Sequence, residues 1–114
     1  MKIFINPGHC PGADPGACGF GMSEADKVLS IGKKVEKILQ TNGVTKKLLQ
    51  MDSLAGICDA SNSWNADLFV SIHCNAANTV AKGTETYCYR GSNAGRKLGR
   101  VHTTESIIIE NKIK

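Results

Sequence analysis

The sequence has few aromatic residues, few prolines and no long hydrophobic run. Of its 114 residues, 5% are aromatic and three are prolines. No apolar stretch approaches the roughly 18 residues that a transmembrane helix needs. The short run KIFI at residues 2–5 is too brief for the core of a signal peptide. The sequence therefore predicts neither a membrane span nor export by the general secretory route, and at this length it predicts one domain at most.

Positive charge is in modest excess, with a formal net charge of +4. The lysines and arginines do not form runs interleaved with aromatic residues, which are typical of nucleic-acid-binding surfaces. We therefore expect no nucleic-acid partner. A mild positive charge instead suits an anionic surface or polymer.

The five cysteines are an odd number and contain no C-x-x-C pair. This spacing excludes a zinc knuckle and a thioredoxin-type redox motif. We expect reduced, partly buried thiols. The alternative is a single disulfide, with Cys10 and Cys18 of the same loop as the candidate pair.

Strand-like and helix-like segments alternate along the chain. The hydrophobic periodicity and capping signals predict strands at residues 2–5, 44–50, 67–72, 84–89 and 106–109, and helices at residues 24–42, 53–64 and 92–104. A glycine- and proline-rich loop occupies residues 6–22, and loops of that length are usually functional or disordered. The alternation predicts an α/β fold with a mixed, mostly parallel sheet flanked by helices.

Two histidines and one glutamate stand where such a fold gathers its functional residues. His9 follows the first strand, His73 follows the strand at residues 67–72, and Glu24 opens the first helix. The carboxyl ends of neighbouring parallel strands meet at one edge of a sheet, so the two imidazoles should converge. Two imidazoles and a carboxylate are the ligand set of a catalytic zinc with an open position. The alternative is two ordinary histidines and a first-turn acid that complements the helix dipole.

Two of the cysteines directly follow these histidines. Cys10 comes after His9, and Cys74 comes after His73. Neighbouring side chains of an extended segment point to opposite faces. Both thiols should therefore face away from a metal held by the histidines.

Four linked motifs carry a family resemblance. They are NPGHCPGADPGACG, then Glu24, then ADLFVSIHCNA, and then GTETYCY. In this order they resemble the zinc-dependent N-acetylmuramoyl-L-alanine amidases of bacterial cell-wall hydrolases and phage endolysins. The resemblance implies Zn²⁺ held by His9, Glu24 and His73, with Asn75 holding substrate or orienting the site. It also implies a peptidoglycan substrate, cleaved at the amide between N-acetylmuramic acid and L-alanine.

The resemblance is clear over residues 1–100, and the tail at residues 101–114 is atypical. We treat residues 1–114 as one amidase-like catalytic domain. The family continues with further helices and a strand that ends in a glutamate, which acts as the general base. In one explanation the segment SIIIEN is a shortcut to that strand, and Glu110 is the catalytic glutamate. In the other, which we favour from the sequence alone, the chain is shortened or altered near Arg100 and the base is missing.

These explanations lead to different functions. The first hypothesis is a peptidoglycan amidase, the second is a wall-binding or regulatory module that keeps the zinc site without its base, and the third is a zinc peptidase acting on the stem peptide. We expect action on the bacterial cell wall, with the chain cytoplasmic until release or exported by another route. An unfinished sheet would leave strand edges that recruit other chains. We therefore expect a homo-oligomer formed through residues 100–114, or a tail that folds back on its own sheet.

Overall fold

The structure is a computed structural model that describes residues 1–74, 83–102 and 107–110. The chain forms two compact units, Met1–Ala76 and Ala77–Lys114. The elements in chain order are β1 Lys2–Pro7, β2 Cys18–Gly19, β3 Met22–Ser23, α1 Glu24–Thr41, β4 Thr45–Leu48, α2 Leu54–Ser63, β5 Leu68–Ile72, β6 Thr86–Tyr89, α3 Asn93–His102 and β7 Ile107–Glu110. None of these described helices is long and apolar enough to cross a membrane.

The first unit is built on a three-stranded parallel sheet in the order β4-β1-β5. The central strand β1 is the most deeply buried element, because Phe4 and Ile5 have no exposed surface. Phe4 stacks on Phe69 of β5 with 5.7 Å between the ring centroids, and it meets the edge of Trp64 at 6.3 Å. Full burial of one such side chain stabilises the fold by roughly 1.5–3 kcal/mol. The predicted α/β class with a mostly parallel sheet flanked by helices is confirmed.

Helix α1 begins and ends where its capping signals predict. The side chain of Ser23 accepts a hydrogen bond from the N–H of Asp26, which satisfies one of the free donors of the first turn. Val28 and Gly32 lie on the buried face of the helix. A Cβ on Gly32 would come within 2.8 Å of the Pro7 ring, so the glycine lets α1 pack closely on β1.

The long loop contains one element that the sequence did not predict, the hairpin formed by β2 and β3. Gly19 pairs with Met22, and the two turn residues Phe20 and Gly21 have φ values of 53° and 72°. Positive φ at both positions defines a type I′ turn, which favours Asn or Gly. A phenylalanine in this region of backbone space costs roughly 1–2 kcal/mol.

The second unit contains β6, α3 and β7. Strand β7 pairs with β6 in parallel within the same chain, and Glu110 lies opposite Tyr89 in the register. Helix α3 packs on β6, where a Cβ on Gly95 would lie 3.3 Å from the Cβ of Cys88. The last strand is therefore present where the apolar run predicts it, and it pairs within its own chain. Self-association stays a prediction.

Candidate metal centre

Strands β1 and β5 bring the two histidines to the same edge of the sheet. The ladder between these strands continues past their ends, because the N–H of Gly8 donates to the carbonyl of Ile72 at 2.8 Å. His9 and His73 follow these two residues directly, and their ring centroids lie 5.1 Å apart with the planes at 81°. The two imidazoles therefore lie close together, as the parallel strands predict.

Glu24 reaches the same point because the loop folds back onto the start of α1. The N–H of Glu24 donates to the carbonyl of Ala17 at 2.8 Å, and the N–H of Ala25 donates to that of Pro15 at 3.0 Å. These two bonds fix the first turn of the helix against the loop. The carboxylate of Glu24 then faces both imidazoles.

The three side chains have the spacing of a metal-ligand set. Oε2 of Glu24 lies 3.3 Å from Nε2 of His9, and Oε1 lies 3.2 Å from Nδ1 of His73. One ligand atom from each residue lies within 4.8 Å of the other two. Tetrahedral zinc with bonds of 2.0–2.2 Å separates its ligand atoms by about 3.4 Å. Two nitrogen donors and one oxygen donor at these separations fit Zn²⁺ with small side-chain adjustments.

The Glu24 carboxylate is held in its charged form. Its side chain is 4% exposed, and burial by itself raises the pKa of the carboxyl. The N–H groups of Ala17 and Cys74 donate to its two oxygens at 3.0 and 2.8 Å, and together with the two histidines they bring the pKa of Glu24 below its usual value. An ionised, buried carboxylate is the partner that a cation requires.

His9 is oriented by Asp14, a residue that the sequence analysis did not select. Nδ1 of His9 lies 2.7 Å from Oδ2 of Asp14. An ionised carboxylate only accepts hydrogen bonds, so Nδ1 carries the proton and Nε2 is the nitrogen available to a metal. The hydrogen bond to Asp14 is the main cause of the raised pKa of His9, burial opposes it, and the charge of Glu24 adds to it. The same hydrogen bond lowers the pKa of Asp14.

The Asp14 side chain is itself fixed by the loop. Its second oxygen accepts the N–H of Gly16 at 3.1 Å, an Asx-type turn that the segment Asp14-Pro15-Gly16 permits. Its backbone pairs with Cys10 in an isolated bridge. His9 comes just before this bridge and has a φ of 59°, a backbone conformation that residues other than glycine rarely adopt. The Asp-Pro-Gly sequence could have predicted the turn at Asp14. Only the folded loop brings the Asp14 carboxylate within hydrogen-bond distance of His9.

Two glycines leave the space that the imidazoles occupy. A Cβ on Gly8 would lie 2.2 Å from Cε1 of His73. A Cβ on Gly16 would lie 2.6 Å from Cδ2 of His9 and 2.8 Å from Oε2 of Glu24, and Gly16 has a φ of 67°. No real Cβ approaches heavy atoms this closely, so any larger residue at either position displaces a site side chain.

One buried and one half-buried side-chain amide hold the edge of the sheet behind the site. Asn6 is 4% exposed, donates to the carbonyl of Leu49 at 3.0 Å and accepts from the hydroxyl of Ser71 at 2.9 Å. Gln50 donates to the carbonyls of Gly8 and Ala25, each at 3.0 Å. Gln50 therefore joins the turn before His9 to the start of α1. No local sequence signal marks it.

The sequence also predicts Asn75 and Glu110 as site residues. Asn75 lies outside the described residues. Glu110 ends β7 in the second unit, and its catalytic role stays a prediction. Among the described residues, neither Cys10 nor Cys74 belongs to the candidate ligand group, and Sγ of Cys10 lies 3.8 Å from the carbonyl oxygen of Pro11. All five cysteines, which lie within the described residues, are unpaired.

Comparison with known proteins matches the chain to one family. A family model described as N-acetylmuramoyl-L-alanine amidase matches residues 3–113. The chain is 41% identical over 95 residues to the sporulation-specific N-acetylmuramoyl-L-alanine amidase of Bacillus subtilis (strain 168), covering 78% of this chain and 36% of the relative. It is 36% identical over 117 residues to the endolysin of Bacillus phage SPP1, covering 98% of this chain and 42% of the endolysin.

A solved structure gives the same result. The N-acetylmuramoyl-L-alanine amidase AmiC2 of Nostoc punctiforme matches with a TM-score of 0.85 and 30% identity, over 98% of this chain and 70% of that chain. The chain thus spans less than half the length of these two curated relatives. The matched sequence and fold agree with the motifs that carried the resemblance. The chain belongs to the N-acetylmuramoyl-L-alanine amidase family.

Proposed function

We propose that this chain catalyses the zinc-dependent hydrolysis of peptidoglycan at the amide between N-acetylmuramic acid and L-alanine. The observation that carries the proposal is the clustering of His9, Glu24 and His73 in a chain of the amidase family. The relatives named as amidases support the choice of bond. The partner is then the bacterial cell wall, to which the net charge of +4 attracts the chain through anionic wall polymers.

Zinc is the metal that the donor set suits best. Nitrogen from two imidazoles and oxygen from one carboxylate make three protein ligands, which is the pattern of catalytic zinc with one open position. Zinc in this site would lower the pKa of a water molecule and polarise the carbonyl of the scissile amide. The chain's own contribution is geometric: Asp14 directs Nε2 of His9 inward, and the end of β5 positions His73.

We assign the general base to Glu110. Its support is the Ile-Ile-Ile-Glu segment, the position of Glu110 at the carboxyl end of β7, and a family match that extends to residue 113. These observations favour the shortcut explanation of the tail over the loss of the base. Glu110 would accept a proton from the attacking water and deliver it to the amino group of the departing L-alanine. Asn75 would hold the substrate beside this reaction.

The test is digestion of purified peptidoglycan by the zinc-loaded chain, followed by mass spectrometry. An amidase releases peptides with a free L-alanine amino terminus and leaves the sugars intact. A peptidase acting within the stem peptide releases shorter peptides, and a wall-binding module releases none. Either of the last two outcomes would contradict the proposal.

A matched pair of variants tests the base. Glu110→Gln should lower the turnover rate about 10²–10⁴-fold, because a general base contributes that much. Glu36→Gln, a change of the same chemistry about three turns along α1 from Glu24, at a residue that pairs with Lys46 on the surface, should leave the rate within a factor of about two, as a surface change does. Zinc content should stay the same in both variants. Equal rates for the two variants would remove Glu110 from the mechanism.

A further inference from the structure

The hairpin of β2 and β3 is attached directly to the candidate metal centre. At its base, Ala17 and Glu24 exchange two hydrogen bonds: the N–H of Ala17 donates to Oε2 of Glu24 at 3.0 Å, and the N–H of Glu24 donates to the carbonyl of Ala17 at 2.8 Å. The next pair along the ladder is Cys18 with Ser23. The hairpin is therefore fixed at one end to a ligand side chain.

The free end of the hairpin presents apolar side chains to solvent. Phe20 is completely exposed, with a relative accessibility of 102%, and Met22 is 51% exposed. Phe20 also occupies the first position of a type I′ turn with φ of 53°, where Asn or Gly would avoid backbone strain. Neither packing nor turn geometry explains a phenylalanine at this position. Strained backbone that persists at an exposed residue beside a site points to a functional contact for that residue.

A shallow cavity beside the hairpin supplies polar groups next to this apolar tip. It has a volume of about 270 Å³ and borders Met22. Its polar lining consists of Ser23, Asp26, Lys27 and Ser30. The Ser23 hydroxyl already donates to Oδ2 of Asp26 at 2.7 Å, so the donors and acceptors for a ligand come from the Ser30 hydroxyl, the Lys27 ammonium group and the Asp26 carboxylate. This combination suits a ligand that carries hydroxyl and acetamido groups.

We propose that the hairpin tip binds the glycan strand of peptidoglycan, with Phe20 packed on the apolar face of a sugar ring. The tip lies three residues from Glu24 along the strand, a distance of about 10 Å. A group bound there is the part of the substrate that flanks the scissile amide. On the alanine side the first residue offers only a methyl group, whereas the sugar side offers a whole ring to the aromatic face. The identification of the polymer rests on the proposed function.

The binding test uses the full chain and glycan strands from which the stem peptides have been removed. Phe20→Asn should weaken binding about 10-fold, the upper end of the loss expected for one aromatic contact. Because Asn is favoured at this turn position, the melting temperature should stay equal or rise. Phe20→Trp should retain binding and show a fluorescence change on adding glycan. Ile38→Gln, on α1 and 62% exposed in the native chain, is the control that should bind like the native chain.

A kinetic test separates a sugar contact from a peptide contact. Two substrates are compared: glycan-bearing peptidoglycan, and a lactyl-L-alanyl peptide without a sugar. Phe20→Asn should raise KM about 10-fold on the first substrate only. Equal losses on both substrates would assign Phe20 to the peptide and overturn the proposal. So would full binding by Phe20→Asn, or a native chain that does not bind peptide-free glycan.

The two proposals fail in different ways. If the native chain binds peptide-free glycan through Phe20 but hydrolyses no amide, the proposed function fails and the glycan site stands. If the native chain releases L-alanyl peptides but Phe20→Asn binds glycan normally, the amidase stands and the glycan site is wrong.

Discussion

The two histidines of the candidate centre reach the same point by different constructions. His73 follows β5 without a break, is 47% exposed, and needs only the space that Gly8 leaves. His9 stands in a turn with a positive φ, is 26% exposed, and is tied to Asp14 at 2.7 Å. Glu24 faces both of them.

The difference shows which extra contacts a loop needs in order to fix a side chain as firmly as a strand does. A strand fixes the direction of its next side chain through its ladder hydrogen bonds, here through the bond from Gly8 to Ile72. A loop has no ladder, so His9 depends on a side-chain hydrogen bond and on Gly16. We therefore expect the His9 side to be the more easily disrupted by changes outside the ligand set.

Glu24→Ala should disrupt the candidate centre at both histidines, because the Glu24 carboxylate faces His9 and His73. The change removes a ligand and leaves the N–H groups of Ala17 and Cys74 without their carboxylate. Zinc should no longer bind in stoichiometric amounts, and the metal-free protein should lose about 2 kcal/mol of unfolding free energy, since hydrogen bonds to a charged group contribute about 1.5–3 kcal/mol. Metal analysis and urea unfolding measure the two effects.

The control for this change is Glu36→Ala on the same helix. Glu36 pairs with Lys46 at 3.6 Å on the surface, and exposed ion pairs contribute less than about 1 kcal/mol. Zinc should bind this variant as it binds the native chain. Stoichiometric zinc in Glu24→Ala would remove Glu24 from the ligand set.

Glycine substitutions separate steric from conformational effects on the His9 side. Gly16→Ala should lower zinc affinity about 10–100-fold, as a displaced ligand support does, because its Cβ would overlap His9 and Glu24. Gly12→Ala is the matched control: it has a φ of 83°, but its Cβ would meet nothing within 4 Å. It should cost about 1 kcal/mol of stability and leave zinc affinity unchanged. Equal zinc affinities for the two variants would contradict the steric argument.

The same substitution at Gly8 tests the His73 side. A Cβ there would overlap the imidazole of His73, and a half-exposed side chain has room to turn towards solvent. Gly8→Ala should therefore lower zinc affinity with little loss of stability, whereas Gly16→Ala should lower both. Competition with a chelator of known affinity and thermal unfolding provide the two measurements. An equal loss of stability in both variants would weaken the contrast between strand and loop.

Asp14→Asn should have a smaller effect and lower zinc affinity about 10-fold. A residue that hydrogen-bonds a metal-binding histidine typically contributes about 10–100-fold to metal affinity. The amide keeps the size of the side chain and can still bond Gly16, but it no longer favours the Nδ1–H form of His9. Nitrogen chemical shifts of the imidazole in the metal-free protein report that tautomer directly. Asp59→Asn on the exposed face of α2 is the control and should change neither quantity. An unchanged tautomer in Asp14→Asn would refute the orienting role.

The pH dependence of stability should reverse when metal is added. The raised pKa of His9 means that its contribution to the metal-free fold is complete below its unfolded value of 6.5 and is lost as the pH rises through the folded pKa. The lowered pKa of Asp14 means that its contribution is present above 3.8 and is lost as the pH falls through the folded pKa. Asp14→Asn should therefore destabilise the metal-free protein more at pH 5.5 than at pH 8.5. These two pH values lie about one unit below and about two units above the ordinary pKa of histidine.

Zinc requires His9 without the proton on Nε2, so stabilisation by zinc should grow over the same rise in pH. Urea unfolding with and without metal at the two pH values gives both trends. Parallel trends with and without zinc would show that His9 does not bind the metal.

Much of the fold followed from local signals. The strand at residues 67–72 and the helix starting at Glu24 were predicted because periodicity and capping depend on neighbouring residues. The class of the sheet followed from the alternation of elements. The hairpin at residues 18–23 was missed because its strands have two residues each, and a phenylalanine occupies a turn position that favours asparagine.

The sequence by itself determined which residues meet at the candidate metal centre. His9 and His73 end predicted strands, Glu24 opens a predicted helix, and parallel topology brings strand ends to one edge. Only the tertiary structure decided how they are held. Gln50 bonds a carbonyl 42 residues away, and Gly8 makes room for a ring from another strand. Contacts of this kind depend on distances between segments that are remote in the chain, which no local pattern encodes.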